Sequence, residues 1–146
     1  MRYWIGVASS DHVARGVAGG FCQLCHGKAT PLKRMSPGDW IAYYSPRTAM
    51  KGGETVQAFT ALGRVVDDRV FEHDVGQGFV PYRRRIDFAP CETAPIRPLV
   101  GHLSFIRKKA SWGYVFRFGM IEIPEADFRL IAEAMAPGLD LAREAA

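Results

Sequence analysis

Apolar and polar positions along the chain recur with two different periods, and the switches between them lay out the elements. Tyr3 to Ala8 predicts a buried first strand. Ser9-Ser10-Asp11 then offers capping side chains for a short helix to about Ala18, ended by Gly19-Gly20. Phe21 to Cys25 predicts a second strand. Thr30-Pro31 opens a helical turn with Leu32 and Met35 on one face, and Ser36-Pro37-Gly38-Asp39 is a turn. Trp40 to Ser45 is apolar on both alternating sets, the mark of a central strand. After a polar loop, Thr55 to Val66 predicts a long strand with Val56, Ala58, Thr60 and Leu62 on one face and Phe59, Ala61 and Val65 on the other.

The second half continues in the same manner. Pro81 to Phe88 alternates, with Arg83, Arg85 and Asp87 facing one way and Tyr82, Arg84, Ile86 and Phe88 the other. Pro95 and Pro98 bracket the start of a short helix to about Leu103, and Lys108 to Ser111 is a loop. Tyr114 to Ile123 predicts a last strand with Tyr114, Phe116, Phe118 and Met120 on one face, expected as core. Pro124-Glu125-Ala126-Asp127 starts a helix whose Phe128, Ile131, Ala132 and Met135 form a buried stripe, and Pro137-Gly138 stops it. Five or six strands with short helices predict an α+β fold. A curved sheet closing into a small barrel manages the strand edges best.

At 146 residues, a single domain over 1–146 is expected, with 137–146 as a C-terminal tail. No run of about 18 apolar residues is present, so no membrane-spanning helix is expected. The N-terminus lacks the long apolar region of a signal peptide, which predicts a cytoplasmic protein with reduced cysteines. A net charge of +4 tolerates a nucleic-acid partner without requiring one.

Cys22-Gln23-Leu24-Cys25-His26 has the spelling of a covalent haem site. Haem attachment normally follows export, which is not expected of the cytoplasmic protein predicted here. On a strand, moreover, Cys22 and Cys25 would point to opposite faces. Zinc needs about four ligands, and Cys91, His12, His73 and His102 supply no paired spacing. Neither haem nor metal is expected, and no cofactor. The ordinary role of such cysteines is that of small, partly buried apolar residues.

Other segments, taken in order, carry a family resemblance. They are Tyr3-Trp4-Ile5; Gly20 to Lys28; Pro37-Gly38-Asp39; Tyr43 to Thr48; Gln57 to Ala61 with Gly63-Arg64; Phe79-Val80-Pro81 before Arg83-Arg84; Ala94 to Pro98; Leu103 to Ile106; and Trp112-Gly113 before Phe116 to Gly119. Over roughly residues 2 to 136 the chain resembles the EVE domain, a PUA-like relative of the YTH domain. The resemblance implies a PUA-like β-barrel with flanking helices. It also implies a non-catalytic module that binds DNA or RNA carrying a modified base, flipped into an aromatic pocket. In that likeness Phe21 is a ring of the pocket wall, Cys22 lies along its edge, Gln23 reads a base edge, and Ser9 and Ser10 approach the same base. The cage of the YTH relatives uses tryptophans, and Phe21 stands here instead, which implies a smaller or weaker cage. The haem-like spelling is then a habit of the family.

The chemistry of such a site is definite. Extruding a base costs a few kcal/mol, and stacking on an aromatic wall returns about 1–3 kcal/mol. Polar groups at the rim tell bases apart, while cations outside hold phosphates. Tyr44 and Ser45, at the end of a strand, and Trp112, in a loop, are further candidates for the lining. Lys28, Arg47, Arg83, Arg85, Lys108 and Lys109 are candidates for the backbone, with ordinary solvated charge as the competing role. Two other functions stay open: a PUA-type RNA- or small-molecule-binding module indifferent to modification, and a cysteine-dependent enzyme using Cys22.

Overall fold

The computed structural model describes residues 1–142. Among these, seven strands and three α-helices follow one another: β1 (Tyr3–Val7), α1 (Ser10–Gly19), β2 (Phe21–Cys22), α2 (Ala29–Lys33), β3 (Trp40–Arg47), β4 (Thr55–Glu72), β5 (Tyr82–Phe88), β6 (Ala94–Pro95), β7 (Met120–Ile123) and α3 (Glu125–Met135). Short 3-10 turns occupy Cys25–Gly27 and Val100–His102, and a longer 3-10 series runs over Lys109–Phe118. The class is α+β, as the pattern predicts.

The strands form one sheet in the order β2-β5-β4-β3-β1-β7, with β6 also paired to β4. β1 runs parallel to β3, and the other pairings are antiparallel. The 18-residue β4 is the spine of this sheet. It pairs with β3 from Thr55 to Arg64 and with β5 from Gly63 to Glu72. Register shifts against β3 at Tyr43/Tyr44 and Ser45/Arg47, and against β5 between Val65 and Val70, bend it. The sheet is curved, but among the described residues β2 and β7 remain its two ends. The expected closed barrel is therefore an open sheet.

Two apolar clusters sandwich the central strands. Tyr3, Ile5, Trp40, Ala42 and Tyr44 join one cluster with Phe128 and Ile131 of α3, whereas Trp4, Ile41 and Tyr43 join the other with Val13 of α1 and Leu32 of α2. The period of two thus fills both sides of β1 and β3 with apolar side chains. Buried Asp39 ties the first strand to the turn before β3, accepting hydrogen bonds from the Trp4 indole at 3.0 Å and from the backbone N–H groups of Arg2 and Ser36, each at 2.9 Å.

Arg84 is buried as well. Its guanidinium donates to the carbonyls of Leu32 (2.7 Å), Met35 and Asp67 (2.6 and 3.1 Å). It fastens the end of α2 to the bulged stretch of β4.

Several predicted elements are corrected. β2 stops at Cys22, because Cys25 and His26 turn into left-handed conformations (φ 50° and 62°). The strand expected over Tyr114 to Ile123 is a 3-10 series up to Phe118, and only Met120–Ile123 pairs with β1. Of its aromatic stripe, Phe116 alone is buried, while Tyr114 and Phe118 are exposed. The Ser9 side chain makes no capping hydrogen bond. The segment expected as a tail packs back: Leu141 is buried and its carbonyl accepts from the Trp40 indole at 2.8 Å. Residues 143–146 lie outside the described residues.

Candidate functional site

A cleft of about 1020 Å³ opens where the end of β1, the first turns of α1, the β2–α2 connection, the loop after β3 and the β4–β5 loop meet. Two glycines allow this meeting. Gly19, at the end of α1, lies so close to the Phe21 ring that a Cβ there would sit 2.6 Å from it. Gly27, at φ +81°, lets the turn after β2 approach the β4–β5 loop; a Cβ there would lie 2.6 Å from Pro81 Cβ and 3.2 Å from the Phe79 ring.

Phe21 is a half-buried ring of the wall, and the Arg83 guanidinium lies over it, 3.7 Å from the ring centroid. Arg83 Nε also donates to the Gln23 side-chain oxygen at 3.1 Å. On the far side of Gln23, His12 Nε2 is 2.9 Å from the Gln23 backbone carbonyl. A carbonyl only accepts, so Nε2 carries the hydrogen and Nδ1 of the neutral ring is left as an acceptor. Burial pushes the His12 pKa down, and Arg15 and Arg83 push it the same way against the Gln23 carbonyl. The wall thus presents a ring, a guanidinium, an amide and an imidazole biased to neutrality. Arg15 and Arg47 add positive charge to the lining, against the single carboxylate of Asp11.

Of the residues singled out in the sequence, Ser9, Phe21, Gln23, Arg47 and Arg83 line this cleft. Ser10 begins α1 and is not among its lining residues. Cys22 turns away from it. The thiol is wholly buried, and that burial, opposed by Arg84, pushes its pKa up to about 12.

Tyr44, Ser45 and Trp112 belong elsewhere. The Tyr44 ring stacks on Phe116 at 4.1 Å and meets Trp112 edge-on at 6.4 Å. The Ser45 hydroxyl is paired with that of Thr60 at 2.7 Å. Tyr44, expected to emerge at a barrel mouth, is covered by Phe116 and Trp112 of the 3-10 series, and Ser45 is buried against Thr60 of β4.

Among the cations, Arg85 is exposed over Phe71 at 5.4 Å, and Lys28 and Lys108 are exposed. The Lys109 ammonium donates to the Leu103 carbonyl at 2.7 Å. Arg83 and Arg85 stand apart from buried Arg84, as strand alternation predicts.

Sequence reasoning missed His12, Arg15, Met50 and Phe79, all of which line the cleft. His12 and Arg15 are three apart on α1 and share a face, a signal that was available. Phe79-Val80-Pro81 belongs to the segments that carry the family resemblance, but nothing in it points to the cleft. Among the described residues, no group of three or more His, Cys, Asp or Glu side chains is placed to hold a metal ion, and no helix is long and apolar enough to cross a membrane.

Comparison with known proteins places this geometry in a family. The EVE domain family model matches residues 2–134. A UPF0310 protein of Bacillus licheniformis, encoded in the gntR 5′ region, is 57% identical over 127 residues, covering 87% of this chain and 86% of that one. A UPF0310 protein of Mesorhizobium japonicum is 49% identical over 146 residues, covering 99% and 98%. Among solved structures, the YTH domain of the Zygosaccharomyces rouxii MRB1 protein, in complex with N6-methyladenosine RNA, superposes with a TM-score of 0.63 at 13% identity, covering 90% of this chain and 84% of that one. The Agrobacterium tumefaciens protein Atu2648 gives a TM-score of 0.55 at 12% identity, covering 95% and 94%. At such identities the structural likeness concerns the fold alone. With the family match spanning nearly all of the described sequence, the chain belongs to the EVE domain family.

Proposed function

We propose that this chain is a non-catalytic nucleic-acid-binding module whose cleft receives a single modified base, methylated in the simplest case, lifted out of its strand. The observation that carries the proposal is the convergence of Phe21, Arg83, Gln23 and His12 on one open cleft. Its volume of about 1020 Å³ matches the upper end of small-ligand pockets, roughly 300–1,000 Å³, and accommodates a base together with its sugar and phosphate. A flat ring gains from stacking on Phe21 or against the Arg83 plane. The Gln23 amide and the bare His12 nitrogen offer a donor and an acceptor to a base edge. Arg15 and Arg47 suit a phosphate. The YTH relative in complex with N6-methyladenosine RNA is consistent with this use of the fold. Residues outside the cleft, including Cys22, Tyr44, Ser45 and Trp112, then serve to hold the walls.

The test is a binding panel of short DNA and RNA oligomers with plain, methylated and hydroxymethylated bases, measured with wild type and Phe21→Ala. The proposal expects a preference for one modified base that Phe21→Ala removes. Equal affinity for all oligomers, with steep salt dependence, would instead establish a module indifferent to modification.

A further inference from the structure

The side of the molecule built by residues 93–121 has a composition unlike the rest. It contains Arg97, Arg107, Lys108, Lys109 and Arg117 and no Asp or Glu. That is +5 in a chain whose total is +4, so all other residues together sum to −1. Ala94, Ile96, Leu103, Ile106 and Phe116 of this stretch all anchor in the same apolar cluster. Its five cations are exposed.

Two large rings stand out with them. Tyr114 is 65% exposed and Phe118 57% exposed. Neither is needed by the core, which takes Phe116 from between them. Arg117 links the pair: its guanidinium carbon is 3.4 Å from the Tyr114 ring centroid and 4.0 Å from that of Phe118, and its Nη1 donates to the Tyr114 carbonyl at 2.9 Å. The rings are thus held in place by a charged group while keeping much of their surface open to solvent.

The position matters as much as the composition. Phe118 is followed by Gly119, which lines the cleft, accepts a hydrogen bond from Val7 N–H at 2.8 Å and leaves no room for a Cβ beside Cys25 Sγ. The exposed rings therefore sit at the end of a segment whose next residue is part of the cleft wall.

We propose that Tyr114, Arg117 and Phe118 form a second nucleic-acid contact, a stacking platform for unpaired nucleotides that flank the base in the cleft. Bases stack on the open ring faces, and Arg117 meets the phosphates. The occupant is a single strand, because two solvent-facing rings suit unstacked bases, and a stretch with five exposed cations and no carboxylate of its own suits a polyanion. The inference rests on the proposed function for what fills the cleft, but the platform itself is separable from it.

The experiment uses the full chain and two 12-nucleotide single strands, an unmodified one for fluorescence anisotropy and one carrying a single 5-iodouracil as the photoprobe for crosslink mapping. Tyr114→Ala/Phe118→Ala is expected to weaken single-strand binding at least about tenfold, with crosslinks in wild type mapping to Tyr114 or Phe118. Both rings are exposed, so the variant should retain the wild-type melting temperature, which is measured alongside. If that variant binds the strand as wild type does, the platform is wrong, whatever Phe21→Ala does. If Phe21→Ala binds every modified oligomer as wild type does while Tyr114→Ala/Phe118→Ala fails, the platform stands and the cleft proposal falls.

Discussion

The guanidinium of Arg83 covers the ring of Phe21 at 3.7 Å while its Nε holds Gln23, so one side chain sets the position of two others in the cleft wall. A base entering the cleft either stacks on the outer plane of Arg83 or takes its place on the ring. Either way Phe21 and Arg83 act together. Phe21→Ala should lose about 1–3 kcal/mol of binding to the preferred oligomer. Arg83→Ala should weaken binding too and lower the salt dependence of the affinity by about one unit of slope if the guanidinium also meets a phosphate. Titrations at several salt concentrations measure both. An Arg83→Ala protein that binds more tightly would mean that Arg83 shields the ring instead of helping it.

His12 makes the folded protein sensitive to acid. Burial and the nearby Arg15 and Arg83 hold its pKa below the ordinary 6.5, so the unfolded chain takes up a proton at a pH where the folded one does not. The contribution of His12 to stability is fully present above about pH 6.5. It declines as pH falls toward the lowered folded value and then levels off. Denaturant melts at a series of pH values should show that decline in wild type and a smaller one in His12→Gln.

Cys22 should be chemically silent in the native protein. The thiol is fully buried, with a pKa near 12. A thiol reagent at pH 8 should therefore modify Cys25 and Cys91 at most, and reach the third thiol only after unfolding. Fast native labelling of Cys22, identified by peptide mapping, would revive a cysteine-dependent enzyme.

Arg84 should be a residue of stability, with no direct part in recognition. Its guanidinium satisfies carbonyls from α2, the turn after it and the β4 bulge. Arg84→Met leaves those acceptors buried, and a loss of at least about 3 kcal/mol is expected. Thermal melts give the loss. The folded fraction of Arg84→Met should bind oligomers with the affinity of wild type.

Much of the frame was legible because it depends on local pattern. β1 and β3 show apolar residues on both alternating sets, α3 shows a clean helical stripe, and α1 ends at a left-handed Gly20 where Gly19-Gly20 marks a stop. The 114–118 segment misled for a physical reason. Tyr114, Phe116 and Phe118 satisfy a period of two, yet Tyr114, Arg117 and Phe118 also satisfy the three- and four-residue spacing of a turn of helix. Packing of Phe116 on Tyr44 decides between them.

The cleft was legible at Phe21, Gln23 and Ser9 through family likeness. Phe79 and Met50 reach it only because distant loops fold over the same spot. Nothing in their local sequence encodes that. Tyr44 and Ser45 lie outside the cleft because Phe116 and Trp112 of the 3-10 series cover the first and Thr60 pairs with the second.

β2 carries the cleft's aromatic wall and terminates the sheet, yet it is two residues long. A terminal strand with a long row of free amide and carbonyl groups invites pairing with another molecule and, from there, aggregation. One this brief offers almost nothing to copy onto. The sheet therefore ends beside the cleft on a strand too short to act by itself as a template for fibrils.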